Sequence, residues 1–522
     1  MKFSNAAVSS VEQVRSPAAT AAIRHADNAC MMFSFLWAAA MLVHQIARHR
    51  TWFHADWDHL IGWLLTGAAV LVLLRPSSLF LLAIMLVLDV INAFDRMPRL
   101  PNHILFNATV SFTILLAMLE CRLRGPLDRG RLFLRFAPLV RIQFVLLYTF
   151  AALAKLNTDY LNPEVSCGTA MYLEAVTHVQ SRYGITLPTV PFFRLASIWG
   201  TLILEILLPI MLLLRGWRRT AIVLGIAFHL ALSLHPIQEI YSFTAMMIAL
   251  YFLFAPNDFA TRLAEQWRDI AWVRRHRLNE PARIRRLALV GAGTLGAGAA
   301  VAMIGRMLLS DEGWRAAFVA QIHLLQDSLI GIGFHLLFFT GLAALIGFIV
   351  VTRRMNYEEE SIQAKFAVPA TIGLVGVTIV FINGMNPYLG FRTETAVAMF
   401  SNLRTEAGRT NHLFMPRLHL AGYQDDVAEV LAFELFADGE ADDVQLGMIA
   451  AEDVYVTWFD LRRRTSSLAH PFRIRYLRNG KEHELDSRVN PDHELCRPHP
   501  YLAGKLLDFR IIDKDGPMRC RH

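Results

Sequence analysis

Lysine is nearly absent from this chain. Of its 51 lysine and arginine residues only six are lysines, at positions 2, 155, 365, 481, 505 and 514, and Lys155 stands alone between Lys2 and Lys365. Cations beside the apolar runs are otherwise arginines, so a snorkelling role explains Lys155 less well than it would in a lysine-rich chain. An amine can be desolvated and give up its proton, which a guanidinium cannot do. Two readings of Lys155 follow, a residue that does chemistry or an interfacial lysine. Cysteine is scarce too. The five cysteines show no ligand spacing, so no metal site is expected. Charge is also low, at 18% against 54% hydrophobic residues and a mean hydropathy of +0.37, which excludes an ordinary soluble globular protein.

What is present is a series of long apolar runs. At about 20 residues per crossing, spans are expected near 29–47, 57–74, 77–94, 104–121, 137–156, 195–214, 218–235, 239–256, 286–305, 329–350 and 366–384. The fold class is therefore a polytopic α-helical membrane protein of about eleven spans. Its expected parts are a polar N-terminal segment (1–28), a transmembrane domain (29–256), a basic amphipathic interfacial segment (257–285), additional transmembrane helices (286–384) and an extracytoplasmic β-rich domain (385–522).

Arginine clusters follow spans four, six, eight and ten, at 122–131, 215–219, 274–286 and 353–354, and all fall on one side. The positive-inside rule makes that side cytoplasmic, with the N-terminus inside and the C-terminal domain outside a bacterial inner membrane. Because the basic clusters lie between apolar spans, nucleic acid is excluded as a partner; the lipid bilayer is expected. Gly291-Ala-Gly-Thr-Leu-Gly296 matches a dinucleotide fingerprint formally, but it lies in an apolar run with no preceding strand and is read as close helix packing. Beyond the last span, Val454–Asp460 and Phe472–Leu477 alternate as strands do, and Asn479-Gly480 is a hairpin turn signal. Cys496 and Cys520 both fall outside and are expected to form a disulfide.

This topology brings distant residues to one depth. Lys155 ends span five at the outer face, and the outer link between spans three and four carries Asn102 and His103. Glu205 and His229 lie 11 and 13 residues from Gly216 in a helical hairpin, so they are expected to face each other. A mid-membrane carboxylate is costly unless paired, and the pair reads as a polar clip between helices or as part of the chemistry. His235, near the outer end of span seven, would line the same cavity. The segment from Asn162 to Glu174 reads as a half-buried outer lid with short helices.

Tyr148-Thr-Phe-Ala-Ala-Leu-Ala-Lys155-Leu-Asn-Thr-Asp159-Tyr160 resembles the lysine segment of vitamin K-dependent gamma-glutamyl carboxylase and its bacterial relatives, the horizontally transferred transmembrane (HTTM) domain family. Pro101-Asn102-His103, Trp199 to Glu205, Phe228-His229 and Ser242-Phe243 agree in order, and Asn386 to Gly390 and Met399 to Asn402 resemble the passage into the lumenal β domain. The likeness covers roughly residues 30–256. It departs where the carboxylase has two adjacent lysines and an aspartate; here those positions read Ala154-Lys155 and Asn157.

The resemblance implies a quinol- and O2-driven carboxylation, or a related oxidation, of glutamate in an extracytoplasmic peptide or protein, a lyase-class reaction. Lys155 would be the base toward a reduced naphthoquinone, vitamin K hydroquinone or menaquinol, with O2 and CO2 as co-substrates and no metal. His103 would assist it, and Asn102, Tyr148, Asn157 and His235 would contact substrate or cofactor. The alternative is a non-enzymatic membrane partner that binds or helps mature a secreted peptide.

Overall fold

A computed structural model of the chain describes residues 17–47, 60–237, 239–269, 312–353, 365–368, 371–436 and 441–521, with a few isolated positions between 275 and 290. Among the described residues the first three quarters hold twelve α-helices: α1 (Pro17–Ala47), α2 (Leu60–Leu74), α3 (Leu79–Arg96), α4 (Asn102–Leu123), α5 (Arg129–Lys155), α6 (Cys167–Tyr183), α7 (Pro191–Leu213), α8 (Arg218–Leu232), α9 (Glu239–Tyr251), α10 (Phe259–Asp269), α11 (Glu312–Arg353) and α12 (Leu374–Leu389). Local chemistry sets several ends. The Ser78 side chain accepts from Leu81 N and the Asp128 side chain from Arg131 N, and Gly184 closes α6 with a φ of +66° that side chains disfavour.

Among the described residues five helices are long and apolar enough to cross a membrane, or six if the bent pair Ile240–Phe254 and Phe259–Asp269 is one span. The expected count of eleven is not reached, for physical reasons. Helices α2 and α8 have 15 residues and α12 has 16, which at 1.5 Å per residue falls short of a hydrocarbon core of about 30 Å. Helix α3 carries Asp89, Asp95 and Arg96 within its 18 residues. Most of the stretch 286–305 and part of the basic interfacial segment, beyond Asp269, lie outside the described residues.

Helices α4 and α5 form the interior, with 72% of their apolar windows buried, whereas α7 and α11, at 28% and 22%, turn most of their surface outward. Helix α5 packs against α1, α4, α7 and α12. Buried polarity joins α1, α3 and α4: Ser111 Oγ donates to Asp89 Oδ2 at 2.7 Å and accepts from Trp37 Nε1 at 3.2 Å. A carboxyl at that depth survives only because neighbouring donors satisfy it.

The C-terminal region holds a five-stranded antiparallel sheet of order β4-β3-β1-β2-β5, with β1 Val427–Leu435, β2 Val454–Thr457, β3 Phe472–Arg478, β4 Lys481–Asp486 and β5 Ile512–Asp513. Asn479 and Gly480, both at positive φ, turn β3 into β4 as the sequence predicts. The strand expected over Val454–Asp460 stops early. Thr457 caps a new helix, Trp458–Ser466, by accepting from Asp460 N at 3.2 Å, which draws the last residues out of the strand.

The sheet region docks on the Lys155 end of the bundle. Leu413 N donates to Leu156 O and Thr158 N to Asn411 O, both at 3.0 Å, and Met518 N donates to Asp159 Oδ2 at 2.8 Å. A disulfide between Cys167, at the start of α6, and Cys520 fastens the tail. This corrects the expected Cys496–Cys520 pair. Cys496 is a free thiol, because the tail folds back on the membrane helices and away from the short helical turn that carries Cys496. The segment after Asn162 likewise contains one 17-residue helix, α6, in place of several short ones.

Candidate functional site

The C-terminal end of α5 brings Tyr148, Ala151 and Lys155 onto one face by 3.6-residue periodicity, and that face looks into a cavity of about 1060 Å³. The N-terminus of α4 supplies Asn102 and His103, α7 supplies Thr201 and Glu205, and α8 with the loop after it supplies His229 and His235. A fourth side comes from the sheet region, through Glu394, Arg463, Arg464, Asp508 and Arg510. Leu147, Phe243, Met247 and Phe400 are among its apolar walls. Membrane helices and C-terminal region therefore enclose one space, of the size that holds a drug-sized ligand or somewhat more.

Lys155 is buried, and its Nζ lies 2.9 Å from Glu205 Oε2 and 3.0 Å from Oε1. Weaker contacts at 3.4 Å reach Ala151 O and Met399 O, and the Tyr160 ring centroid is 5.9 Å away. The expected Glu205–His229 pair is not formed. His229 Nε2 bonds instead to Tyr148 Oη at 2.7 Å, and Tyr148 Oη is 2.6 Å from Tyr251 Oη. Glu205 and His229 line the same cavity, but α5 packs against α7 and brings Lys155 to Glu205. In a medium of low polarity a carboxylate gains more from an ammonium than from an imidazole.

His103 and Lys155 share the cavity without touching each other in a hydrogen bond. His103 Nε2 is 2.6 Å from Ser242 Oγ, and its ring faces Phe243 at 5.8 Å. His235 Nε2 is 3.1 Å from Glu174 Oε2 on α6. Asn157 is absent from the cavity wall. Its amide donates to Ala154 O and Ser401 O and accepts from Asp159 N and Tyr160 N, so its polar capacity is committed to the junction with the C-terminal region.

Several residues in or behind the wall were not singled out from the sequence. Tyr251, which stands behind Tyr148, has no local signal, since its role depends on reaching Tyr148 from another helix. Arg463 is held by Asp460 and by Asp508 Oδ1, the latter at 2.6 Å, and Arg464 Nε donates to Asp460 Oδ2 at 2.6 Å. Burial pushes the Glu394 and Asp508 carboxyls above the usual range, with Arg510 and Arg463 pulling the other way.

The wall is largely apolar, with a few buried polar groups among its residues. Apolar side chains dominate it near α5, and the buried polar atoms on lining residues that have no hydrogen-bond partner among the described residues include Asn102 Oδ1 and His229 Nδ1. Unmet buried polar atoms in a roomy site are the usual mark of a missing ligand or water. Among the described residues no group of three or more His, Cys, Asp and Glu side chains could hold a metal ion.

No curated protein and no solved structure matches this chain. Residues 134–259, which span Tyr148, Lys155, Glu205, His229 and His235, match the family model of the HTTM domain.

Proposed function

We propose that the protein is an integral membrane enzyme that uses a reduced naphthoquinone, O2 and CO2 to carboxylate, or oxidise in a related way, a glutamate of an extracytoplasmic peptide. One observation carries the reading: a single cavity lined by apolar side chains is touched by both Lys155 and His103 and is closed by the C-terminal region. The HTTM match supports it, since that domain is found in vitamin K-dependent carboxylase-related membrane proteins.

A bound quinol would supply, with O2, the strong base needed at the glutamate γ-carbon. The chain's own residues have simpler tasks. Lys155 Nζ is the group placed to take a proton from a hydroxyl in the cavity, and Glu205 Oε2, at 2.9 Å, positions it. Asn102 Oδ1 and the His103 ring orient polar ends of the ligand. Glu394, Thr395, Met399, Phe400 and residues 508–511 cover one side of the space, and the less water it admits the stronger each of these interactions is. The site would face the exterior of a bacterial inner membrane, as the arginine distribution indicates, and a Cys167–Cys520 disulfide fits an oxidising compartment on that side.

The test is label transfer from bicarbonate to exported protein in membranes supplied with reduced naphthoquinone. Both Lys155→Ala and Lys155→Arg are expected to abolish it, because arginine keeps the charge and cannot serve as the base. Full transfer by Lys155→Arg would overturn the proposal. A second reading rests on the Lys155–Glu205 contact itself, which equally suits a structural ion pair in a non-enzymatic partner for a secreted peptide. In that case Lys155→Arg is nearly silent, and a peptide co-purifies with no change of mass on its glutamates.

A further inference from the structure

Residues 413–420 invert the ordinary pattern of a surface strand. Arg417 and His419 turn inward: His419 Nδ1 lies 2.9 Å from Asp425 Oδ2, and Arg417 pairs with the same carboxylate while its Nε donates to Thr405 O at 3.2 Å. Leu418 and Leu420 alternate with them and point away from the protein, as do Leu413 and Phe414. Phe414 keeps 62% of its surface exposed and Leu420 keeps 74%. In water the outward face is unfavourable, since it leaves hydrocarbon uncovered, whereas the inward charges are satisfied by Asp425. Against lipid the outward leucines carry no such penalty.

Backbone bonds set the depth of the segment. Leu413 N donates to Leu156 O, Leu418 N to Tyr388 O and Leu420 N to Leu389 O, at 3.0, 2.9 and 2.9 Å. Those carbonyls stand at the C-terminal ends of α5 and α12. The segment therefore lies where two apolar helices finish, and one of them, α12, leaves Ile379, Phe381 and Ile382 uncovered as well. At the same end of the bundle the short helix Tyr501–Leu506 exposes Tyr501, Leu502 and Leu506, and its Lys505 donates to Asp95 O near the end of α3. Leucines flanked by a tyrosine and a lysine match what a bilayer boundary accepts, apolar groups below and an amphipathic ring and a cation at headgroup level.

We propose that residues 413–420 and the helix Tyr501–Leu506 are immersed in the headgroup and upper acyl region of the bilayer, so that the C-terminal region is a membrane-surface module. The inference stands apart from any reaction at Lys155. It is tested on the full chain in nanodiscs that hold one copy each, in a Cys496→Ser background. Phe414→Cys, Leu420→Cys and Tyr501→Cys are each labelled with an environment-sensitive fluorophore, and Glu482→Cys, on the sheet edge furthest from β5, serves as the control. The expected result is blue-shifted emission at 414, 420 and 501 that is quenched by lipid carrying a doxyl group near its headgroup, with neither effect at 482. Emission at 414 and 420 equal to that at 482 would overturn the proposal. So would a blue shift without lipid quenching, which would mean that protein or a bound peptide covers the patch. Because Tyr501 lies on a separate element, loss of folding in one variant leaves an independent reading.

Discussion

Lys155 Nζ and Glu205 Oε2 lie 2.9 Å apart across the contact of α5 and α7, both side chains almost closed off from solvent. Breaking such a pair from one side leaves a buried charge unmatched. Glu205→Gln is expected to destabilise the protein by about 3–5 kcal/mol. Replacing both partners by apolar residues, Lys155→Met with Glu205→Leu, is expected to restore most of that loss while leaving the protein inactive. Thermal unfolding in detergent or nanodiscs, read beside label transfer, separates the architectural share of the pair from its chemical share. A double variant no more stable than Glu205→Gln would contradict the pairing.

Tyr251 reaches Tyr148 only because α8 has a glycine where its ring passes. A Cβ on Gly225 would overlap the Tyr251 ring. Gly225→Ala is therefore expected to cost about 1–3 kcal/mol through overpacking and to pull the Tyr251 hydroxyl off Tyr148. Adding Tyr251→Leu to Gly225→Ala is expected to recover part of the loss, because neighbouring substitutions do not add. Strict additivity in unfolding measurements would show that the two residues are not in contact.

The disulfide assignment predicts a thiol inventory. Cys30, Cys121 and Cys496 are free, while Cys167 and Cys520 are joined. Alkylation of the denatured, unreduced protein should modify only those first three, and reduction should add the other two. Peptide mapping that joins Cys496 to Cys520 would reverse the assignment. Cys520→Ser is expected to lower stability by about 2–4 kcal/mol.

The tail around Cys520 also carries a pH signature. Burial alone would raise the Asp513 carboxyl, but hydrogen bonds from Arg521 and Arg519 hold it below its ordinary value. Those bonds run from Arg521 at 2.7 Å and from the Arg519 backbone at 2.8 Å. A carboxyl whose folded value is depressed contributes stability above its unfolded value and loses it as pH falls through the folded one. The difference in melting temperature between wild type and Asp513→Asn should therefore be widest near neutral pH and close on acidification. A gap that is constant with pH would mean that Asp513 is not ionised in the folded chain.

Much of the membrane portion is readable from residue order, because apolar run length and arginine placement are local signals. Helix α5 ends on Lys155, the α7–α8 hairpin turns at Arg215-Gly216-Trp217, and the β3–β4 turn falls on Asn479-Gly480. What depends on competition between partners is not readable. Depth alone puts Glu205 level with His229, yet an ammonium on a third helix outbids the imidazole. Apolar content alone puts eleven spans in the chain, yet helix breaks shorten several runs below the crossing length. Cysteine spacing could not choose Cys167 over Cys496, since that choice follows from how the tail folds back on α6. The arginine and carboxylate wall supplied by Glu394, Arg463, Arg464, Asp508 and Arg510 carries no motif, and only the docking of the sheet region reveals it.

Since residues from before 260 and after 390 face each other across one hollow, neither half of the protein owns it. Cutting away the sheet region would unroof Lys155 and flood its surroundings. Loss of activity in such a truncation could not tell a peptide-holding role from a sealing one. Point changes on the roof, at Arg464 or Phe400, leave the enclosure in place and are the cleaner instrument.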